Sequence, residues 1–282
     1  MTTAVVINGQ TLAEQVRLEL KDKISRLEKT PELAVVLVGN NPASEVYVKF
    51  KERACVDVGI ISSTHRLDEN ATEDEVLDLI DALNQNSDVT AILVQLPLPK
   101  HLDEKKILAA ISPLKDVDGF HPLNTGCMVQ KREDAFVPCT PKGVMRLIHY
   151  AKDDLTGLNA VVVGRSQIVG LPVAHLLLQE NCTVTIAHSK TKNLPEICKQ
   201  ADILVVAVGK PEFVTKEYIK QGAIVIDVGI NRTENGLKGD VCFEDAYSLA
   251  SYLTPVPKGV GPMTISMLLE NTYQAYLKQR HS

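Results

Sequence analysis

The chain has 282 residues, 45% of them hydrophobic and 23% charged, which is enough to bury two modest cores and excludes a disordered or collagen-like chain. Thirty Lys plus Arg against 35 Asp plus Glu leave a formal charge of −5, so no excess of positive charge exists to hold a polyanion, and nucleic acid is not expected as a partner. The six cysteines, Cys55, Cys127, Cys139, Cys182, Cys198 and Cys242, form no CxxC pair and have no companion His at ligand spacing, which argues against a disulfide scaffold and a metal site.

The segment MTTAVVINGQ lacks a basic n-region, and no stretch approaches the roughly 18 apolar residues of a spanning helix. The expectation is a soluble protein with reduced, mostly buried thiols, in the cytoplasm and with no membrane partner. Aromatic residues make up 4% and Trp is absent, so the core is aliphatic. Val, Ile, Leu and Ala clusters of this kind fit a parallel sheet covered by helices.

In chain order, Ala4 to Ile7 reads as a strand and Asn8-Gly9 as a turn. Leu12, Val16, Leu20, Ile24 and Leu27 recur at helical spacing and mark one apolar face of a long helix. Leu33 to Val38 is a buried strand, GNNPA a loop, and Ser44 a candidate cap for a helix reaching about Val58. Thr72 and Glu75 stand at capping-box spacing before a further helix, and Ala91 to Leu96 is a strand that Pro97 stops.

From Ser112 to Pro141 periodicity fails, as in a linker or a site-forming loop. A second α/β series follows, with strands at Ala160 to Val163, Thr183 to Ala187, Ile203 to Val206, Ala223 to Asp227 and, shorter, Tyr252 to Thr254. Its last helix runs from about Met263 to Leu277. Alternation of strands and helices from end to end is the pattern of βαβ units, so the fold class is α/β.

In the second series a buried strand ends at Gly164 and a helix opens at Gly170, with Arg165 and Ser166 between them. A strand running into a glycine turn and then an apolar helix is the phosphate-cradling arrangement of dinucleotide folds, in which backbone N–H groups and the positive helix end face the pyrophosphate. The usual middle glycine is Ser166 here, so the fingerprint is a variant. The next strand ends in Ala187-His188-Ser189-Lys190-Thr191 without a carboxylate, where an NAD site places Asp or Glu on the ribose. Ser189, Lys190 and the Arg165 guanidinium suit a 2′-phosphate instead, which favours NADP.

In the first series Tyr47 and Lys51 are four residues apart on one helix face, just beyond the carboxyl end of a strand. Gln95 is polar within the apolar run Val94-Gln95-Leu96-Pro97 and needs a partner, for which Lys51 is the candidate. A lysine free in water has a pKa near 10.4 and is a poor base at neutral pH, so a catalytic role needs the neutral amine to be favoured. Asp116 and Asp118 flank Val117 before Gly119, but the remaining ligands of a calcium loop are missing.

Taken together and in this order, SEVYVKFKERACVDVGI, ILVQLPLP, KDVDGFHPLNTG, PCTPKGV, GRSQIVGLPVAHLL, AVGKPEFV, GAIVIDVGIN, GDVCFEDA and TPVPKGVGPMTISMLLENT resemble the bifunctional methylenetetrahydrofolate dehydrogenase/methenyltetrahydrofolate cyclohydrolase family over nearly the whole chain. The resemblance implies two domains with a cleft between them. Residues 1–138 would bind folate, joined by the returning helix 263–282, and residues 139–262 would form a Rossmann-type NADP domain. It also implies a homodimer acting on one-carbon derivatives of tetrahydrofolate.

By that resemblance Lys51 is the general acid/base, Gln95 its hydrogen-bonding partner, Tyr47 a wall of the folate ring site, and Asp118 the acceptor for the amino-pyrimidine edge of the pterin. Val94, Leu96, Pro257, Gly261 and Pro262 line the substrate. Gly164, Arg165, Ser166 and Gly170 carry the cofactor phosphates, Ser189 the adenosine end and Ile230 the nicotinamide side. Lys258 stands where the commoner family form has Gly, and its ammonium either attracts the folate glutamates or projects into solvent. Two alternatives are a monofunctional dehydrogenase or an NADP oxidoreductase acting on another substrate, with Lys51 arguing against loss of the hydrolytic step, and a non-catalytic NADP sensor. The chain contains no GxxxxGK[ST] loop, so no ATP-dependent ligase activity is expected.

Overall fold

The structure, a computed structural model, describes residues 3–234 and 236–280. The chain divides into two compact units, one holding the segment up to Ala13 with Thr140–Thr264, the other Glu14–Cys139 with the chain from Ile265 onward.

The first unit is built on a six-stranded parallel sheet in the order Val5–Val6, Tyr252–Leu253, Ile224–Asp227, Ile203–Val206, Asn159–Val163, Thr183–Ala187. The strands Ile203–Val206 and Ile224–Asp227 are buried throughout, as a sheet covered on both faces requires. From Asn159–Val163 the chain steps to one side, to Thr183–Ala187, and then back to the other, to Ile203–Val206. The carboxyl ends of Asn159–Val163 and Ile203–Val206 therefore form a topological switch point, the place where open α/β sheets bind ligands.

The first strand departs from the expected division of the chain. Val5–Val6 joins this six-stranded sheet and not the sheet of the residues that follow it, through Val5 N–H to the Ser251 carbonyl (2.8 Å) and Ile7 N–H to the Leu253 carbonyl (2.8 Å). A two-residue strand carries too little pattern to specify a sheet, and the free edge beside Tyr252–Leu253 offers it a parallel partner. Gly9 is required at the following turn, because a Cβ there would sit 1.9 Å from the Gly259 carbonyl oxygen.

The second unit has a three-stranded parallel sheet in the order Ile61–Leu67, Glu32–Val38, Ala91–Val94. Ala34, Val36 and Val38 on one face of the central strand meet Val76, Ile80 and Leu83 of helix Glu73–Gln85, whose capping box Thr72/Glu75 is formed as the spacing predicts. The edge strand Ile61–Leu67 has no counterpart in the sequence reading. Its run ISSTHRL is polar because it is half exposed, and it pairs with neighbours through Ser63 to Glu32 (2.7 Å) and Thr64 to Glu52 (2.5 Å).

Helix Pro42–Val58 starts two residues before the expected cap Ser44. Asn41 caps it instead, its Oδ1 accepting from Ser44 N–H (3.3 Å) and its carbonyl from Glu45 N–H (3.0 Å), with Pro42 in the first turn, where its missing N–H is harmless. The stretch expected as irregular contains helix Pro122–Val129 and runs into helix Cys139–Ala151. The last helix spans Val260–Arg280, and from Ile265 onward it belongs to the second unit, where Lys29 N–H donates to Tyr276 Oη (3.2 Å) and Gln279 Nε2 to the Thr90 carbonyl (2.7 Å). All six cysteines are free thiols, five of them buried and Cys242 half-buried.

Candidate active site

At the carboxyl edge of the three-stranded sheet, the Lys51 ammonium nitrogen Nζ donates to Gln95 Oε1 at 3.0 Å. The Gln95 amide is held in one orientation, since its Nε2 donates to the Leu96 carbonyl (2.6 Å) and leaves Oε1 facing Lys51. Gln95 is buried and Lys51 half-buried, so the pair forms a partly desolvated amine whose neighbour is a neutral amide. Tyr47 lies one turn earlier on the same helix and is 37% exposed, with its ring open to a ligand. Val94 differs, because its side chain is buried in the core against helix Glu73–Gln85, and only its backbone borders Gln95. Leu96 is partly exposed.

Asp118 sits in the segment Lys115 to His121, which is fixed from every side. Lys115 Nζ donates to the carbonyls of Leu83, Asn84 and Asn86 at 2.7–2.9 Å, capping the C-terminus of helix Glu73–Gln85. Asp116, 1% exposed, accepts from Phe120 N–H (3.2 Å), His121 N–H (2.8 Å) and Asn124 Nδ2 (2.8 Å), and bridges to Ile92 of the sheet. Gly119 has φ +72°, and a Cβ there would lie 2.5 Å from the Phe136 carbonyl oxygen.

Asn271, fully buried on the last helix, ties this segment to the chain at Val137 by donating from Nδ2 to the Val117 (2.8 Å) and Val137 (3.0 Å) carbonyls. The Cys139 thiol reaches the Val117 carbonyl at 3.3 Å and also faces the Asp118 carboxylate. Burial pushes the Asp118 carboxyl up from its ordinary value, while the charge on nearby Lys51 pulls it down. Lys51, Gln95 and Asp118 are thus brought together.

Lys115, Asp116, Cys139 and Asn271 were not singled out as site residues from the sequence. Asn271 carried no signal there, because it stands between Glu270 and Thr272 in a polar stretch of the helix.

In the first unit Gly164 (φ +136°) and Gly170 make the turn possible. A Cβ on Gly164 would be 2.4 Å from the Ala207 carbonyl oxygen, and one on Gly170 would be 2.3 Å from the Gly164 carbonyl oxygen. Ser166 Oγ accepts from Val169 N–H (3.2 Å) and Gly170 N–H (3.3 Å), which places it at the N-terminus of helix Gly170–Gln179. Arg165, Ser166, Ser189 and Lys190 are exposed around this turn, and residues 187–191 contain no carboxylate. Such a cradle, with free positive charge and no acid, fits a dinucleotide bearing a 2′-phosphate.

Ile230 is 45% exposed beyond the end of strand Ile224–Asp227 and lies beside Gly261, close to Pro262 in the first turn of the last helix. Pro257 and Lys258 are exposed in the preceding loop, Lys258 at φ +78°. Among the described residues no group of three or more His, Cys, Asp or Glu side chains is placed to hold a metal ion, and no helix is long and apolar enough to cross a membrane.

Comparison with known proteins gives a consistent answer. Residues 7–118 match the family model for the tetrahydrofolate dehydrogenase/cyclohydrolase catalytic domain, and residues 138–280 that for its NAD(P)-binding domain. The chain is 54% identical over 281 residues to "Bifunctional protein FolD" of Enterococcus faecalis, covering 98% of this chain and 100% of that protein. A protein of the same name from Acetivibrio thermocellus is 56% identical over 276 residues, with 96% of each chain covered.

Among solved structures, the bifunctional FolD methylenetetrahydrofolate dehydrogenase/cyclohydrolase of Campylobacter jejuni superposes with a TM-score of 0.96 at 47% identity, over 98% of this chain and 99% of that one. The Trypanosoma brucei enzyme, complexed with NADP cofactor and inhibitor, superposes with a TM-score of 0.95 at 39% identity over 100% of both.

Replacing Asn271 with Ala takes the amide donor from the Val137 carbonyl and leaves the Val117 carbonyl with only the Cys139 thiol, and it is expected to lower the free energy of unfolding by about 1–3 kcal/mol. Urea denaturation reads this as a lower midpoint, and an unchanged midpoint would show that Asn271 does not hold the Asp118 segment.

Proposed function

The chain belongs to the tetrahydrofolate dehydrogenase/cyclohydrolase family, and from that premise we infer how its own residues carry the two reactions. It oxidises 5,10-methylenetetrahydrofolate with NADP to the 5,10-methenyl cation and hydrolyses that cation to 10-formyltetrahydrofolate. NADP, when bound, accepts the hydride from the methylene carbon.

The residues for its phosphates are Arg165 and Ser166 with the backbone of Gly164 and Gly170. Ser189 and Lys190 serve the adenosine end, and Ile230 flanks the nicotinamide. The free cations and the missing carboxylate after Ala187 support this assignment.

Asp118 holds the pterin by accepting from the N–H donors of its amino-pyrimidine edge, a role suited to a carboxylate fixed by Asp116, Gly119 and Asn271. Tyr47 and Leu96 bound the ring, the Val94 backbone approaches it, and Pro257, Gly261 and Pro262 contribute further contacts to the substrate. Lys51 Nζ stands over the one-carbon unit. Loss of hydride leaves a positive carbon beside Nζ, which disfavours a second positive charge there and favours the neutral amine. Lys51 then takes a proton from the attacking water as its oxygen bonds to the methenyl carbon, and returns it to N5 as the carbon–N5 bond breaks, while the second water proton leaves the carbinol oxygen to solvent as the formyl C=O forms. Gln95, unable to rotate, keeps Nζ in line for both transfers. The single observation that carries this mechanism is the Lys51–Gln95 hydrogen bond, formed near the half-buried Asp118 carboxyl.

Two coarser properties belong to the same proposal. Two copies pair through the edge strand Ile61–Leu67, whose outer backbone edge needs a partner and beside which Val46 and Phe50 expose apolar side chains on one helix face. The protein works in the cytoplasm, where six free thiols are stable.

Lys51→Met is expected to lower methenyl hydrolysis by at least about a hundredfold while NADP affinity stays within about twofold, as loss of a general acid/base demands. Following the methenyl absorbance and titrating NADP separately checks both, and near-normal hydrolysis would remove the role assigned to Lys51. Sedimentation velocity should give the mass of two chains, and a single-chain mass would contradict pairing.

A further inference from the structure

Asp240 is fully buried in the first unit, and its carboxylate accepts four hydrogen bonds. Oδ2 takes Val208 N–H (2.6 Å) and Gly209 N–H (2.9 Å), and Oδ1 takes Lys210 N–H (2.9 Å) and Asn231 Nδ2 (2.8 Å). The first three donors form the turn after strand Ile203–Val206, at the switch point, and the fourth adjoins Ile230. On the other side of Ile230, a Cβ at Gly229 would lie 2.2 Å from the Asp240 carboxyl carbon, so that backbone rests directly on the carboxylate. Asp240 is itself held by a second buried acid, Asp227, which accepts from Asp240 N–H, Val241 N–H and Gly229 N–H, each at 2.9 Å.

Of the two neighbours of Ile230 in the chain, Asn231 is therefore bonded to the Asp240 carboxylate and Gly229 is packed against it with its N–H on Asp227, while the Ile230 side chain stays 45% exposed. A fully buried charge satisfied by four donors from two separate loops gives those loops one shared geometry, since loss of any donor leaves a buried acceptor short.

We propose that Asp240 is a positioning residue for the dehydrogenase reaction, locking the turn Val208 to Lys210 and the Gly229-Ile230-Asn231 segment into the single arrangement that seats the nicotinamide. The proposal rests on the assignment of Ile230 to the nicotinamide side. It separates the two activities, because hydrolysis of the methenyl cation needs Lys51, Gln95 and Asp118 but no hydride acceptor. It also separates the two halves of the cofactor, because the adenosine end is held by Arg165, Ser189 and Lys190, none of which touches Asp240.

The test uses the full-length enzyme and Asp240→Asn, which keeps the shape but turns one acceptor oxygen into an NH2 facing N–H donors. Calorimetric titration should show NADP binding weakened by about tenfold while 2′,5′-ADP, which lacks the nicotinamide, stays within about twofold, and dehydrogenase kcat should fall by about tenfold or more with misplacement of the reacting ring. Hydrolysis of methenyltetrahydrofolate without NADP should stay within about twofold. A parallel fall of both activities, equal weakening of both ligands, or no change in any of them would overturn the proposal.

If Asp240→Asn does not fold, Asn231→Ala removes one of the four donors and should shift the same ratios in the same direction, and unshifted ratios would overturn the proposal equally. Ile230→Gly in the otherwise native chain separates the premise from the inference. Normal dehydrogenase activity in that variant removes the nicotinamide assignment, whereas a defect there with none in Asp240→Asn removes the role of Asp240 alone.

Discussion

On the proposed mechanism a single hydrogen bond, from Lys51 Nζ to a Gln95 oxygen that the Leu96 carbonyl holds in place, sets the chemistry. A lysine anchored by a carboxylate would be held as an ammonium, and a lysine with no anchor would sample many rotamers on its four-carbon stem. A neutral amide fixed through the Leu96 carbonyl limits the rotamers and adds no counter-charge to that of the nearby Asp118 carboxylate. The strand Glu32–Val38 delivers the helix that carries Tyr47 and Lys51, and the neighbouring strand Ala91–Val94 delivers Gln95 at the same carboxyl edge.

Buried polar groups brace both the Asp118 segment and the loops around Ile230. Lys115 caps a helix end, Asp116 and Asn271 brace the Asp118 segment, and Asp227 with Asp240 braces the loops around Ile230. Glycine makes the packing around these acids possible. Gly119, Gly229 and Gly239 stand where any Cβ would enter a neighbouring backbone or a carboxylate, and the Gly239 Cβ would meet Asp227 Oδ2 at 1.8 Å. Networks of this kind cost stability when one member is lost, and they return a unique geometry when complete.

Much of this was legible in the sequence where periodicity or a motif with a mechanism carried it. The buried strands from Leu33, Ala91, Ala160, Ile203 and Ala223 were readable as apolar runs, and the turn at Gly164 and Gly170 was readable from its strand and helix context. The Lys51–Gln95 pairing followed from a polar residue stranded in an apolar segment. What escaped was set by long-range packing. The edge strand Ile61–Leu67 hides its pattern because only one edge is paired, and Val5–Val6 takes its place in the other sheet through partners some 250 residues away, at Ser251 and Leu253. Asn41 rather than Ser44 is the cap because Pro42 follows it and takes the first helical position. Asn271 and Asp240 could not be ranked from sequence, since their importance lies in which backbone atoms they meet.

The most direct measurement is a crystal structure of the protein with NADP and a non-reactive folate analogue bound together. The account predicts Lys51 Nζ within about 3–3.5 Å of the position of the one-carbon unit or of a water poised on it, still bonded to Gln95, with the Asp118 carboxylate on the amino-pyrimidine edge. A Lys51 side chain turned into bulk solvent, with the analogue bound elsewhere, would contradict it.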